Sequence, residues 1–102
     1  MIIFNVTAIV EEKIQKEFHH FMHHIYIPAA LASHKFNEAK LFKLTEPVNE
    51  GVTYCAQCFA NSRQELEEFR DEHLPNLQEL LMQQFPNQVL FFPSVLELSN
   101  PL

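Results

Sequence analysis

The stretch Val52-Thr53-Tyr54-Cys55-Ala56-Gln57-Cys58-Phe59-Ala60, followed by Asn61-Ser62-Arg63-Gln64-Glu65-Leu66, decides the fold. Val52, Tyr54, Ala56, Cys58 and Ala60 alternate with Thr53, Cys55, Gln57 and Phe59, which is the period of two that a strand requires. At Asn61-Ser62 the period changes. Asn61 or Ser62 is placed to cap a helix, and Glu65 to complete a capping box with Ser62. Leu66, Phe69, His73, Leu77 and Leu80 then recur at helical spacing. Pro75 cannot donate to the carbonyl of Asp71, so a kink or break is expected near Leu74.

Working outward from that stretch, Glu46 to Gly51 reads as the turn of a hairpin whose other strand runs from Phe36 to Thr45. Glu38, Lys40 and Lys43 break the alternation there, which suits an edge strand. The opening Ile2 to Val10 is rich in β-branched residues and reads as a first strand. Its even positions are wholly apolar, while Asn5 and Thr7 make the odd face polar at its centre. From Glu11 to about Ile25 the residues Ile14, Phe18, Phe21, Met22 and Ile25 form a helical stripe. Pro28 is expected to end this helix by pushing Ile27 toward an extended conformation, with a short further turn over Ala29 to Ser33. Asn87 to Leu98 is the last strand, where Pro93 marks a bulge or an edge position.

The order is therefore β-α-β-β-α-β, the split βαβ arrangement. It predicts an α+β, ferredoxin-like domain: a four-stranded antiparallel sheet with two helices on one face, spanning residues 1–102 with a short tail at 99–102. The second sheet face is left open, and an apolar face of that size is expected to be hidden in a homodimer.

Composition narrows the function classes. Seven Lys and Arg stand against thirteen Asp and Glu, a net charge of −6, with no basic run. Such a chain is a poor partner for nucleic acid or an anionic membrane surface. A single glycine excludes Gly-rich phosphate loops, and no cofactor is expected. The apolar start lacks a basic segment and turns polar by Glu11-Glu12-Lys13, so neither a signal peptide nor a membrane span is expected. Cys55 and Cys58 do not make a disulfide framework, and a cytoplasmic location follows as the expectation.

Three groups of residues bear on chemistry. His19-His20 and His23-His24 form two pairs four residues apart on the first helix, a spacing that can chelate zinc, nickel or copper. A proper site needs a third or fourth ligand such as a carboxylate, and the expected role is a solvated polar face with adventitious nickel binding only. Cys55 and Cys58 look like a C-x-x-C motif, but three residues along a strand point to opposite faces, so the sulfurs cannot share a metal or a disulfide. Asn5, Tyr26, Gln57 and His73 are the candidate ligand-binding residues. If the odd-numbered sheet face looks toward the helices, all four line one pocket. If it looks outward, Asn5 and Gln57 line the inside of the dimer and His73 stands apart. The more apolar even face of the first strand favours the outward placement.

Several stretches resemble a known family. They are Met1-Ile2-Ile3-Phe4-Asn5-Val6-Thr7, Phe21-Met22 with Tyr26-Ile27-Pro28, Ala32-Ser33-His34-Lys35-Phe36, Thr53 to Ala60, and Glu72-His73-Leu74-Pro75. Together they resemble a family of bacterial proteins of about a hundred residues, classed as a domain of unknown function. The resemblance runs nearly end to end and implies a ferredoxin-like monomer within a dimeric α/β-barrel, with no established activity. Members of that family often carry His where this chain has Tyr26 and Gly where it has His34. More distantly, the architecture is similar to the dimeric α/β-barrel monooxygenases, some of which oxidise quinols or degrade haem, which is a likeness of fold.

The aromatic-rich composition (ten Phe) and the missing catalytic set point to a dimeric module that binds a small apolar or aromatic ligand or a protein partner. The alternative is a cofactor-independent monooxygenase or isomerase in which Asn5 and Gln57 hold an enolate or phenolate and His73 moves the proton.

Overall fold

The computed structural model describes residues 1–48 and 50–101. Asn49 of the expected turn and Leu102 of the expected tail lie outside the described residues. Four strands, β1 (Ile2–Val10), β2 (Glu38–Lys43), β3 (Val52–Ala60) and β4 (Val89–Glu97), form one antiparallel sheet in the order β2-β3-β1-β4. The fold is α+β, ferredoxin-like and of the dimeric α/β-barrel type. Strand β2 is shorter than its pattern suggested, beginning at Glu38 and ending at Lys43.

Pairing along β1 is uninterrupted on both sides, from Ile2↔Ala60 to Val10↔Val52 and from Ile2↔Glu97 to Val10↔Val89. Pro93 therefore sits in an edge strand and makes no bulge. Just beyond the strand ends, Leu98 N–H donates to Met1 O (3.0 Å) and Glu11 N–H donates to Gln88 O (3.2 Å). Those bonds place the odd positions of β1 as the ones that hydrogen-bond to β4. Pro93, opposite Val6, thus has its nitrogen on the free edge, where the missing N–H breaks no ladder bond.

The even positions of β1 and β3 all point under the helices and are buried. Two helical arms cover them. The first starts as a 3-10 turn (Glu12–Ile14), continues as α1 (Gln15–Phe21), widens into a π-turn (Met22–Tyr26) and runs on as α2 (Ile27–Ala32). The expectation that Pro28 stops the helix is overturned, and Ile27 stays helical at φ −62°, ψ −46°. In an unbroken α-helix the Pro28 ring would strike the carbonyl of His24. The π-turn, closed by Ile27 N–H on Met22 O, inserts a residue and opens the ladder there. Pro28 then falls in the first turn of α2, where a missing donor costs little. The inserted residue also shifts the buried stripe. Phe18, Phe21 and Met22 are followed inward by Tyr26 and Ala30, while Ile25, expected in the core, is 38 % exposed.

The second arm is α3 (Arg63–Glu72) and α4 (Leu74–Gln84), separated at His73 as Pro75 requires. Ser62 caps α3 by accepting from Glu65 N–H at 3.2 Å. Its hydroxyl also donates to the Glu65 carboxylate at 3.4 Å, so the reciprocal half of the box runs between side chains. The break rotates the apolar stripe: Leu66, Phe69, Leu74, Leu77 and Leu81 are buried, and Leu80, expected inside, faces out. Lys35 Nζ and a Glu68 carboxylate oxygen meet at 2.6 Å, tying the end of the first arm to α3.

The space between sheet and helices is filled by aromatic rings. Phe69 packs edge-on against Phe4 (5.9 Å between centroids) and Phe36 (4.7 Å), and Phe18 packs against Tyr54 and Phe85.

Candidate functional site: the open sheet face

Strand parity and register lay out the other face in rows. Partners across an antiparallel pair share a face. Lys40, Gln57, Asn5 and Ser94 therefore form one row, and Phe42, Cys55, Thr7 and Phe92 the next. On one side of these lie Glu38, Phe59, Ile3 and Leu96. On the other lie Thr53, Ile9 and Leu90, with Leu44 beside Thr53 through Leu44 N–H to Thr53 O (2.8 Å). The middle of the face is small and polar, and its rim is large and mostly apolar, with the Lys40–Glu38 ion pair at the β2 edge. Phe42, Leu44, Leu90, Phe92 and Leu96 are all exposed on that rim, Phe92 by 51 %.

The polar centre is a hydrogen-bonded group. Asn5 Nδ2 donates to Thr7 Oγ1 at 3.1 Å and to Ser94 Oγ at 3.2 Å. Thr7 Oγ1 lies 3.7 Å from Cys55 Sγ. Asn5 is 7 % exposed, and its Oδ1 is buried with no partner among the described residues. An unpaired buried amide oxygen costs about 1–3 kcal/mol. Gln57 stands directly opposite Asn5 in the ladder.

The remaining candidates lie elsewhere. Tyr26 is in the core behind the sheet, 1 % exposed, with its hydroxyl unpartnered among the described residues. Burial, and after it the neighbouring Cys58, hold that hydroxyl well above the usual tyrosine pKa range. Burial likewise pushes the Cys58 thiol up to about 12. His73 sits half-buried at the α3–α4 break, its ring stacked on Phe69 (5.8 Å, 14°). Phe69 in turn touches Phe4 on the helix side of β1, so His73 and Asn5 are on opposite sides of the sheet. The structure thus brings Asn5 and Gln57 together and separates Tyr26 and His73 from them. Cys55 and Cys58 are both free thiols, one on the open face and one beneath the helices.

Tyr26 carries a prediction. Its hydroxyl is desolvated with nothing in return, so Tyr26→Phe removes a cost and leaves the ring packing intact. The variant is expected to raise stability by about 1 kcal/mol, read as a higher urea midpoint at unchanged slope. A lowered midpoint would show that the hydroxyl is satisfied.

On the first arm the four histidines form the two expected pairs, His19 with His23 (4.5 Å between centroids) and His20 with His24 (4.1 Å, stacked). All four rings are exposed. Partial burial first, then the charges of His19 and His24, lower the pKa of His23. Among the described residues no three His, Cys, Asp or Glu side chains converge on a point that would hold a metal. A cleft of about 820 Å³ opens at one end of the sheet between Glu11, Glu50, Met82 and Leu90, and none of the four candidate residues lines it.

Residues 1–99 match the model of a family described as a domain of unknown function (DUF4286). This chain belongs to that family. Among curated proteins none matches it. Solved structures share the fold at low identity. An ethyl tert-butyl ether d (ethd) family protein from Bacillus halodurans C-125 has a TM-score of 0.69 at 10 % identity, over 97 % of this chain and 100 % of that one. HapK from Hahella chejuensis has a TM-score of 0.70 at 9 % identity, over 99 % and 95 % of the two chains. Rv0793 from Mycobacterium tuberculosis has a TM-score of 0.65 at 13 % identity, over 99 % and 98 %. Among the described residues no helix is long and apolar enough to cross a membrane.

Proposed function

We propose that two copies of this DUF4286 chain pair through their open sheet faces and enclose a polar-floored hollow that holds a small, largely apolar or aromatic molecule. The observation that carries this reading is the layout of the face, with Asn5, Thr7, Cys55 and Ser94 at its centre and Phe42, Leu44, Leu90, Phe92 and Leu96 around it. Sheets that pack face to face sit about 10 Å apart. Large rim side chains meet their counterparts at that spacing, and small central ones leave room between them. A two-fold axis through the centre brings polar centre to polar centre and sets rim against rim, with the charges of Glu38 and Lys40 paired to each other at the β2 edge. In flat projection it covers roughly 500 Å² from strand spacing and rise. Side-chain relief brings that toward the ~800 Å² per partner of a standard interface.

Asn5 and Gln57 are the ligand contacts in this reading. Tyr26 and His73 support the scaffold from the other side of the sheet. An oxygenase or isomerase version needs a proton carrier beside the amides. Asn5, Thr7, Gln57 and Ser94 do not ionise near neutral pH, His73 is across the sheet, and the ionisable groups in their rows are the Lys40 amine and the Cys55 thiol, with no histidine or carboxylate beside the amides. The geometry therefore favours binding over turnover. A cytoplasmic location belongs to the same reading and is supported by the two free thiols.

Native mass spectrometry of untagged protein, purified without added metal, tests the proposal. A dimer carrying an additional small mass is expected. A dimer whose mass is that of two bare chains, and which takes up no aromatic probe such as 2-naphthol, would remove the ligand and leave a protein-interaction role for the paired module.

A further inference from the structure

We propose that the polar floor of the hollow selects its ligand by an acceptor oxygen, so that the bound molecule is a neutral aromatic carbonyl compound, a ketone or aldehyde, held by hydrogen bonds from Gln57 and Ser94. This selectivity rests on the paired open face proposed above.

Asn5 sets the polarity of the floor. Its Nδ2 donates to Thr7 Oγ1 (3.1 Å) and to Ser94 Oγ (3.2 Å), so both amide hydrogens are spent inside the network. Turning the amide over would give Oδ1 two donors and strand the NH2 group instead. Asn5 is 7 % exposed, and a buried N–H without an acceptor is rarer in folded proteins than a carbonyl oxygen without a donor. The orientation that leaves Oδ1 unpartnered is therefore the better of the two.

Both hydroxyls already accept from Asn5, so their own hydrogens turn away from it. Thr7 Oγ1 and Cys55 Sγ stand 3.7 Å apart, and whichever of them donates, one O–H or S–H is left over. Ser94 is exposed at the edge of the cluster, and its O–H has no acceptor among the described residues. Gln57, opposite Asn5 and partly exposed, brings a further NH2 group to the same row. Asn5 Oδ1, the acceptor that would balance these donors, is buried. The floor thus has more hydrogens to give than acceptors to receive them. In a hollow closed by a second copy, water no longer takes them up, and a donor left unpaired is costly. A carbonyl oxygen has two lone pairs and no hydrogen, so it satisfies two donors at once. A neutral carbonyl fits better than a carboxylate, because Lys40, the cation of this row, already engages Glu38 at 3.2 Å.

The experiment is equilibrium dialysis of the untagged full chain against 2-acetylnaphthalene and 2-isopropenylnaphthalene, which have nearly the same shape and differ in C=O against C=CH2. Water solvates the ketone better, so burial alone favours the hydrocarbon. The ketone is nevertheless expected to bind at least about tenfold tighter, through its hydrogen bonds to the floor. Gln57→Leu is expected to cut that ratio to about a third or less. Gln57 is partly exposed, so the fold should survive, and circular dichroism would confirm it. Equal binding of the two probes, or tighter binding of the hydrocarbon, overturns the acceptor requirement and leaves the hollow standing. A ratio that Gln57→Leu leaves unchanged overturns the placement of the carbonyl at this centre. Uptake of neither probe overturns the hollow itself and its selectivity with it.

Discussion

Phe69→Ala is expected to destabilise the chain by about 3–5 kcal/mol, as the loss of a fully buried ring does. Phe69 has no exposed surface. It leaves α3 to touch Phe4 in the central strand, Phe36 before β2 and the His73 ring at the helix break. Removing the ring takes away its own transfer free energy and also opens a cavity between elements far apart in sequence. The neighbours are rings and cannot collapse into that space without leaving their rotamers. Domains of this size have about 5–15 kcal/mol in total, so the variant would sit at the margin of folding. Urea unfolding followed by circular dichroism measures it. A loss below about 1 kcal/mol would mean that Phe69 is not the link between sheet and second arm.

The second large effect concerns the open face. Phe92→Lys is expected to dissociate the proposed dimer, weakening it by at least about a hundredfold, since it buries an ammonium among the apolar side chains of the rim. Phe92 is half-exposed in a single chain and makes no contribution beneath the helices, so the monomer should keep its fold. Cys55 reports the same event. It shares a row with Phe92 and is partly accessible in one chain, whereas Cys58 is buried under the helices with its thiol pushed up to about 12. A thiol reagent at neutral pH should therefore modify one cysteine quickly in Phe92→Lys and none in the wild-type dimer. Equal reactivity of Cys55 in both proteins would show that pairing does not cover this face.

Much of this was legible in the sequence because strand residues obey parity. Asn5 and Gln57 could be assigned to one face, and Cys55 and Cys58 to opposite faces, from odd and even numbering alone. The apolar even face of β1 told which side the helices cover. The first helix was harder. Pro28 is a strong stop signal by local rules, and what defeats it is a hydrogen bond from Ile27 to Met22 that no composition rule flags. That one inserted residue moved Tyr26 into the core and Ile25 out. The same kind of slip placed Leu80 inside when Leu81 belongs there: the break at His73 was foreseen, but the rotation it imposes on α4 depends on how two helices pack. For the site, the row Lys40–Gln57–Asn5–Ser94 needed the β4 register, which depends on where pairing begins beyond Pro93. The separation of His73 from the amides followed only once the covered face was known.

The central claim is that the open face is a paired face, and sedimentation velocity of the wild-type chain across a wide concentration range tests it most directly. The account predicts a single species of twice the 12.0 kDa chain mass, persisting to low micromolar protein and lost in Phe92→Lys. A wild-type chain that sediments as one copy at every concentration would contradict it, and the apolar rim of the sheet would then need a different occupant.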